Sequence, residues 1–373
     1  MLGDTGWCLP GAKQCSAVPP GLLLFDLIPK AASHAVSYGL HPALESALMH
    51  WFIGVMHIYA KHAAILLAVG ALLQFASAHA PGQAGAQRAA PQRVAQEAPK
   101  RPRITGIDHV RVYASNVDKS GEFYSKTLGL PSCNVAGTCF RVGWHPRQDL
   151  GLEQAVSNAP KDWLAEVGFA TDDVTRMRRY LVAHGMVASA ISEDRYGTRH
   201  FELHDPEGNP IAFVQRPAGI VDDPLFLDQV STRLIHAGFV VKDIAAENRF
   251  YVDVLGFKLY WQGGFKDDGV DWYELQVPDG DNWIEYMLNI PPNADHKQLG
   301  AQNHFSFGVK EIEAAAAQLR KNGVEKIAGP GIGRDGKRGL NVYDPDDTRV
   351  EVTEFTPARE PCCHPYTAPH PTP

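Results

Sequence analysis

Apolar and polar positions form short, bounded segments between residues 104 and 355 of the chain. Runs such as Leu-Ile-His-Ala-Gly-Phe-Val-Val, at 234–241, are dominated by β-branched and aromatic residues and therefore predict buried strands. Gly323 follows Asn322 at a position expected for a helix C-cap. The segment before this cap carries apolar residues at helical spacing, namely Ile312, Ala315, Ala316 and Leu319. The pattern predicts an α+β fold.

The same pattern occurs twice along the chain. The region around His109 and Phe123-Tyr124 corresponds to the region around His236 and Phe250-Tyr251, and the offset is 127 residues at both points. In each copy a strand is followed by a helical segment that ends at Leu-Gly and an apolar residue. An internal repeat of this kind predicts two copies of one supersecondary unit, each with its own sheet.

The second halves of the two copies also correspond. Asp-Pro turns at 205–209 and 344–348 each feed a last strand. The repeat therefore predicts four βαβββ modules of roughly 50–60 residues, paired into an N-terminal domain at 104–216 and a C-terminal domain at 233–355. Helices would cover one face of each curved sheet and leave the other face as a concave cup for a ligand.

The segments outside the repeat have a different composition. Residues 1–55 receive no fold assignment, whereas residues 56–80 combine Lys61, an apolar run and small residues, which is typical of a secretory signal. Residues 81–103 predict a disordered linker, and 356–373 a disordered tail. We expect export to the periplasm or the extracellular space, with no stable membrane association after signal removal. A membrane-anchoring helix is the alternative.

Composition narrows the classes of protein further. The chain has 373 residues, of which 45% are apolar and 21% charged, as is ordinary for a soluble globular protein of two or three domains. A net charge of -7 gives no reason to expect nucleic-acid binding. The six cysteines do not form a disulfide framework, although Cys133 and Cys139 flank a predicted hairpin and could be either bridged or free.

Two histidines and two glutamates stand at matching positions in the C-terminal copy. His236 is followed by Glu285 after 49 residues, and His304 is followed by Glu351 after 47. All four lie in apolar runs that predict strands. Two imidazoles and two carboxylates suit a divalent metal such as Zn, Ni, Mn or Fe(II). The spacing therefore predicts a metal site in the C-terminal domain.

Together these motifs resemble the vicinal oxygen chelate superfamily, which includes glyoxalase I, bleomycin-resistance proteins and type I extradiol dioxygenases. The resemblance rests on the paired modules, the strand-borne histidines, Phe-Tyr-x-x-x-Leu-Gly, and the Asp-Pro turn before the last strand. It implies tandem domains of that fold. It also implies that the metal ligands come from the first and last strands of facing modules, which are His236, Glu285, His304 and Glu351 here.

The corresponding positions of the N-terminal domain match the family less well. They are His109, Glu153, Glu166 and Ala212, and alanine cannot bind a metal. A glutamate also replaces histidine at the first strand of the second module. We therefore expect the N-terminal domain to lack a competent metal site, although three ligands could still suffice.

The resemblance implies an enzyme that binds adjacent oxygens of a small substrate to its metal. Glyoxalase-type isomerase or lyase chemistry is the favoured interpretation, with Glu351 or Glu285 as the catalytic base and Glu285 as either a fourth ligand or that base. An extradiol dioxygenase, with His236, His304 and Glu351 around Fe(II), is the alternative. That branch keeps a His and a Tyr before the last turn, and residues 329–341 contain neither. A non-catalytic small-molecule binding or resistance protein is the third possibility.

Overall fold

The computed structural model describes residues 100–144, 146–155, 164–219 and 228–373. The predicted extension, the predicted signal and nearly all of the predicted linker lie outside these residues. Within the described part of the chain, no helix is both long enough and apolar enough to cross a membrane.

The N-terminal domain contains one mixed sheet of seven strands in the order β2-β3-β1-β4-β7-β6-β5. Its strands are β1 (Ile104–Ala114), β2 (Cys139–Trp144), β3 (Arg147–Gln154), β4 (Leu164–Thr171), β5 (Ser192–Glu193), β6 (Arg199–His204) and β7 (Pro210–Gln215). Strands β1 and β4, one from each module, run antiparallel at the centre, and each pairs in parallel with the last strand of its own module.

The C-terminal domain contains one mixed sheet of eight strands in the order β13-β14-β15-β12-β8-β11-β10-β9. Its strands are β8 (Arg233–Val240), β9 (Lys258–Gly263), β10 (Trp272–Gln276), β11 (Trp283–Met287), β12 (His304–Val309), β13 (Ala328–Ile332), β14 (Arg338–Tyr343) and β15 (Arg349–Glu354). The central pair, β8 and β12, is again antiparallel. The predicted α+β fold, with two modules in one curved sheet per domain, is confirmed. The first module of the N-terminal domain contributes only three strands, whereas each of the other modules contributes four.

Helices begin at side chains that cap their first turn. The described helices are α1 (Val117–Glu122), α2 (Val174–Ala183), α3 (Ile244–Asn248), α4 (His296–Gln302) and α5 (Ile312–Lys321), and π-helical turns at Phe123–Thr127 and Arg249–Val254 extend α1 and α3. Asp173 and Asp243 each accept a hydrogen bond from a backbone N–H of the first turn. Helix α5 buries the four predicted residues of its apolar face, and Gly323 follows its C-cap with a φ of 93°.

Each domain binds the other through the two motifs of the repeat. The hydroxyl of Tyr124 donates to Asp344 at 2.9 Å, and the hydroxyl of Tyr251 donates to Asp205 at 3.3 Å. Both tyrosines are fully buried. The tyrosine of each Phe-Tyr pair therefore contacts the Asp-Pro turn of the opposite domain, and one cluster of buried apolar side chains extends through both sheets.

Two buried amide side chains also connect the domains. Gln148 donates to the carbonyls of Ile107 and Leu234 at 2.8 Å each. Asn282 accepts from the backbone N–H of Ile107 at 3.1 Å and donates to the carbonyl of Leu234 at 2.8 Å. Ile107 and Leu234 are equivalent residues of β1 and β8. Because these backbone groups are buried, the amides supply hydrogen bonds that water cannot.

The C-terminal segment 356–373 differs from the prediction of a disordered tail. It packs along the C-terminal sheet, where the ring of Tyr366 lies tilted against that of Tyr260 at 4.8 Å between ring centroids. The hydroxyl of Tyr260 bonds to His370 at 2.8 Å. Aromatic and backbone contacts therefore fix a segment whose Pro- and His-rich composition carries no strand or helix pattern.

Two cysteine pairs are bonded. Cys133 and Cys139 form a disulfide across the predicted hairpin, and this agrees with the bridged alternative for these residues. Cys362 and Cys363 form a second disulfide between adjacent residues of the tail. The described part of the chain contains no free cysteine.

Candidate metal centre

The four candidate residues lie on the four adjacent strands at the centre of the C-terminal sheet. Strand order places β15, β12, β8 and β11 side by side. These strands carry, in that order, Glu351, His304, His236 and Glu285. The fold thereby brings onto one sheet face residues that are far apart in the chain, up to the 115 positions between His236 and Glu351.

The register sets the four side chains in two rows. In one row, Glu351 and His236 flank Ser306, and in the other His304 and Glu285 flank Gly238. The rows share a face because residues 236 and 238 are two positions apart in β8. A small residue at the middle of each row lets the larger side chains converge.

Gly238 shows how tight this convergence is. A Cβ atom on Gly238 would lie 2.2 Å from Cε1 of His304. The imidazole therefore occupies the space that any other residue at 238 would fill.

The donor atoms lie at distances suited to one shared cation. Nε2 of His236 is 3.1 Å from Nε2 of His304 and 3.1 Å from Oε2 of Glu351. Nε2 of His304 is 3.6 Å from Oε2 of Glu351. Ligands bonded at about 2.1 Å to one metal are about 3.0–3.5 Å apart in tetrahedral or octahedral geometry. His236, His304 and Glu351 therefore fit the first coordination sphere of a divalent ion.

Glu285 lies beside this group of three. Its Oε2 is 3.2 Å from Nε2 of His304 and 3.9 Å from Nε2 of His236. The donors that all lie within 4.8 Å of one another come from His236, His304 and Glu351, without Glu285. In this conformation the carboxylate of Glu285 can contact a metal-binding side chain or a molecule in the cavity.

The His304 ring is oriented for metal binding. Its Nδ1 lies 2.8 Å from the carbonyl of Gln302, which can only accept a hydrogen bond. Nδ1 therefore carries the proton of the neutral ring, and the lone pair of Nε2 faces the other donors. The ring is fully buried.

Electrostatics favour a neutral His236 and an ionised Glu351. Burial and the charge of Arg349 lower the pKa of His304, but the carboxylates of Glu285 and Glu351 outweigh them and raise it. Burial lowers the pKa of His236 and favours its neutral form. Burial raises the pKa of Glu351, but the neighbouring His236 and His304 and the charge of Arg349 outweigh it, so that the pKa lies well below its usual range. A neutral imidazole and an ionised carboxylate are the forms that bind a divalent cation.

A cavity of about 400 Å³ opens above the donors. Three tryptophans line it, Trp261, Trp272 and Trp283, together with glycines of β13 and β14. Trp283 packs against the His236 ring at 4.8 Å between centroids. Flat aromatic walls beside bare glycine backbone favour a small, planar ligand.

Charged residues that sequence reasoning missed also line this cavity. Lys337 is 1% exposed, and its ammonium group lies 4.1 Å from the centroid of the Trp283 ring. Burial raises the pKa of Asp335 to about 6, and burial together with the charge of Glu285 raises that of Glu274. The turn that carries Asp335 and Lys337 is polar and Gly-rich, so it predicts an exposed loop.

The C-terminal tail supports this turn. The hydroxyl of Tyr366 donates to the carbonyl of Asp335 at 3.0 Å, and the N–H of Cys362 donates to the carbonyl of Arg334 at 2.8 Å. Tyr366 also places its ring 5.5 Å from the ammonium of Lys337. The tail is thus part of the structure that holds one wall of the cavity.

An ion-pair network occupies the corresponding place in the N-terminal domain. Nδ1 of His109 bonds to Asp108 at 2.9 Å and Nε2 bonds to Glu166 at 2.9 Å. Arg216 donates to both oxygens of Asp108, at 2.7 and 2.8 Å. Carboxylates therefore use both nitrogens of His109, and neither has a lone pair left for a metal.

The other predicted positions of that domain do not converge on His109. The side chain of Glu153 is 41% exposed and pairs with Arg111 at 3.5 Å, while Ala212 is buried. Among the described residues, no group of mutually close metal donors contains His109 or Glu166.

Two further donor groups involve sulfur. One contains Cys133, Cys139 and Asp149, and the other contains Asp267, Cys362 and Cys363. In both groups the cysteines are bonded to each other. A disulfide sulfur is not the thiolate that binds metals, so neither group is a candidate site in this state.

Solved structures that are similar to this chain include 2,3-dioxygenases. Homoprotocatechuate 2,3-dioxygenase from Arthrobacter globiformis is 18% identical with a TM-score of 0.52, over 68% of this chain and 80% of that one. The enzyme from Brevibacterium fuscum, in complex with 3,4-dihydroxyphenylacetate, is 19% identical with a TM-score of 0.52, over 69% and 82%. The 2,3-dioxygenase LapB from Pseudomonas sp. KL28 is 18% identical with a TM-score of 0.54, over 74% and 96%.

These identities show a shared fold. No curated protein sequence matches the chain. The sequence profile of the Glyoxalase/Bleomycin resistance protein/Dioxygenase superfamily matches residues 106–213 and 233–352, which correspond to the two sheets and comprise more than half of the chain. The chain therefore belongs to the Glyoxalase/Bleomycin resistance protein/Dioxygenase superfamily, the vicinal oxygen chelate fold, in tandem domains.

Proposed function

We propose that the C-terminal domain is a metal-dependent dioxygenase that cleaves the ring of a small aromatic molecule with two adjacent hydroxyl groups. The observation that carries this proposal is the convergence of His236, His304 and Glu351 within 4.8 Å of one another. Two imidazoles and one carboxylate on one side of a metal are typical of non-haem Fe(II) oxygenases, because three positions remain for substrate and oxygen.

The shape and lining of the cavity support an aromatic substrate. Trp261, Trp272 and Trp283 provide flat apolar surfaces, and the volume of about 400 Å³ is suited to a single ring with a short substituent. The similarity to dioxygenase structures supports the same choice over the glyoxalase-type chemistry that the sequence pattern favoured.

Bound Fe(II) would supply Lewis acidity and exchange electrons with oxygen. The chain's own residues would bind and orient the diol. Glu285 is placed to accept a proton from a substrate hydroxyl, since its carboxylate lies 3.2 Å from Nε2 of His304. In the overall reaction one carbon–carbon bond of the ring breaks beside the diol, and both atoms of O₂ enter the product, so no external reductant is consumed.

The experiment is anaerobic purification, elemental analysis and measurement of oxygen uptake with catechol. We expect one equivalent of iron per chain, and one O₂ consumed for each catechol converted to a coloured ring-fission product. His304→Ala should lose the metal because the remaining donors cannot close the coordination sphere. His109→Ala is the matched control, since His109 belongs to the N-terminal ion-pair network, and it should retain both metal and activity.

A second candidate is metal-dependent proton transfer of the glyoxalase type. It is favoured by the nearness of Glu285 to the three donors and by the absence of His and Tyr in residues 329–341. A Zn- or Ni-loaded protein that isomerises the hemithioacetal of methylglyoxal and glutathione without oxygen, and consumes no O₂ with catechol, would establish this candidate and refute ring cleavage. A wild-type protein that binds no divalent metal would refute both and favour a binding protein.

A further inference from the structure

Arg349 lies on the same strand as the candidate ligand Glu351. It precedes Glu351 by two positions in β15, so both side chains lie on the same face. Its Nη2 lies 2.8 Å from Nε2 of His304. Arg349 also lines the cavity above the donors. The guanidinium therefore reaches from the cavity into the group of metal donors.

The contact between Arg349 and His304 uses the lone pair that a metal requires. A guanidinium has five N–H donors and no acceptor, so Nε2 of His304 must accept this hydrogen bond. The other ring nitrogen is already bonded to the carbonyl of Gln302 at 2.8 Å. One lone pair cannot serve the guanidinium and a cation at the same time. Binding of a metal to His304 must release Arg349.

No carboxylate fixes the guanidinium in this position. Among the described residues, no Asp or Glu oxygen lies within the 4.0 Å of an ion pair with Arg349. Its Nε is buried without a hydrogen-bond partner. Arg349 is half-buried. With no carboxylate partner among the described residues, its guanidinium can pair with an anion that enters the cavity.

The position of Arg349 indicates what its other partner is. The guanidinium carries a full positive charge on the wall of the cavity, next to the candidate donors. A ligand with a negative oxygen beside the donors would pair with it through charge-assisted hydrogen bonds.

We propose that Arg349 is the substrate-positioning residue of this centre, and that it holds the lone pair of His304 until a metal binds and then pairs with an anionic oxygen of the substrate. The inference rests on the proposed function and names the residue that holds a charged oxygen of its substrate. Metal binding would thereby favour substrate binding, because the metal frees the guanidinium of Arg349 that pairs with the substrate.

The test is Arg349→Gln in the full-length protein, with Zn²⁺ binding measured by titration calorimetry after removal of metal by a chelator. The variant lacks the competing guanidinium, and we expect it to bind Zn²⁺ about tenfold more tightly than wild type. Binding of 4-nitrocatechol to the Zn²⁺-loaded protein, followed by its visible spectrum, should be about tenfold weaker. Arg349→Lys should recover part of this affinity because it keeps the charge.

Opposite shifts in the two affinities distinguish this role from a structural one, because a misfolded centre would weaken both. Arg338→Gln is the matched control. Arg338 lies on the neighbouring strand β14, pairs with Glu313 at the surface and does not line the cavity. It should change neither affinity.

The outcomes separate this inference from the proposed function. If wild type binds Zn²⁺ but Arg349→Gln binds it equally or less tightly, the competition is refuted while the proposed function stands. Tighter Zn²⁺ binding with unchanged 4-nitrocatechol binding refutes the substrate contact. If wild type binds neither Zn²⁺ nor Fe(II), both the inference and the proposed function fail.

Discussion

Gly238 determines whether the His304 ring can reach the other donors. A Cβ at this position would lie 2.2 Å from Cε1 of the ring, well inside van der Waals contact. Gly238→Ala should therefore displace the imidazole and weaken Zn²⁺ binding by tenfold or more, with only a modest loss of fold stability. Calorimetric titration measures the first effect and urea denaturation the second.

Gly219→Ala serves as the control for this substitution, because a Cβ on Gly219 meets nothing within 4 Å. Unchanged zinc affinity in Gly238→Ala would contradict the role that we assign to the small residue in the row between His304 and Glu285.

His109 titrates in a way that should make the N-terminal domain sensitive to alkaline pH. Burial lowers its pKa, but hydrogen bonds to Asp108 and Glu166 outweigh burial and raise the pKa to about 8. A raised pKa means that the folded state holds the proton more tightly. The stabilisation is complete below about pH 6.5 and is lost as the pH rises through 8, and it amounts to about 2 kcal/mol.

Urea denaturation of the chelator-treated protein between pH 6 and 9 would measure this loss. The His109→Gln variant should lack this part of the pH dependence. An identical slope in wild type and variant would show that the proton is not held by this pair of carboxylates.

The sequence predicted the four candidate donors, which the structure brings onto one sheet face, because each stands in a strand at a repeated position. It could not predict Arg349 or Lys337. An arginine two positions before a glutamate in a strand has the same pattern on a solvent-exposed face as in a cavity. Lys337 follows Asp335-Gly336 in a turn, where composition indicates exposure, and its burial depends on Tyr260, Tyr366 and Trp283 from distant segments.

The C-terminal tail is the element whose behaviour differs most from expectation. Its proline and histidine content indicated disorder, since no apolar period runs through it. The structure stabilises it by contacts that have no local sequence signal, such as the ring of Tyr366 against Tyr260. An element held by a few aromatic anchors cannot be predicted from periodicity.

Removal of residues 360–373 should therefore destabilise the C-terminal domain by about 2–4 kcal/mol, through lost aromatic burial and hydrogen bonds. It should also weaken 4-nitrocatechol binding to the metal-loaded protein, since the tail supports the turn with Asp335. Urea denaturation and visible titration measure these two effects.

Tyr366→Phe is the milder variant for comparison. It keeps the ring and removes the hydrogen bond to the Asp335 carbonyl, so a loss of about 1 kcal/mol is expected. If the truncated chain is as stable as wild type and binds the probe equally well, the tail has no supporting role.

At the scale of the whole molecule, the two domains are not independent. Tyr124 and Tyr251 each bond to an aspartate of the other domain, and Gln148 and Asn282 bind backbone groups of β1 and β8. The repeat predicted a helical segment at the Phe-Tyr motif and a turn at the Asp-Pro motif. Their pairing across domains could not be predicted, because equal offsets do not say which copy contacts which.

Residues 228–373 produced alone should consequently be unstable or aggregate, because Tyr251 and the first strand would lose buried partners. Production together with residues 100–219 should restore a soluble complex that binds Zn²⁺ at one equivalent. Size-exclusion chromatography and calorimetry would measure both. A monomeric, zinc-binding C-terminal fragment would contradict the dependence.

The tyrosine–aspartate hydrogen bonds between the domains also have a consequence for a protein built from an internal repeat. Because each half supplies the partner for a buried hydroxyl of the other, loss of either half would lower the stability of the other. The N-terminal half therefore has a structural role that does not depend on metal ligands, and Ala212, which stands at the position of Glu351, is compatible with that role. A substitution at Tyr124 or Asp205 would consequently act on both halves at once.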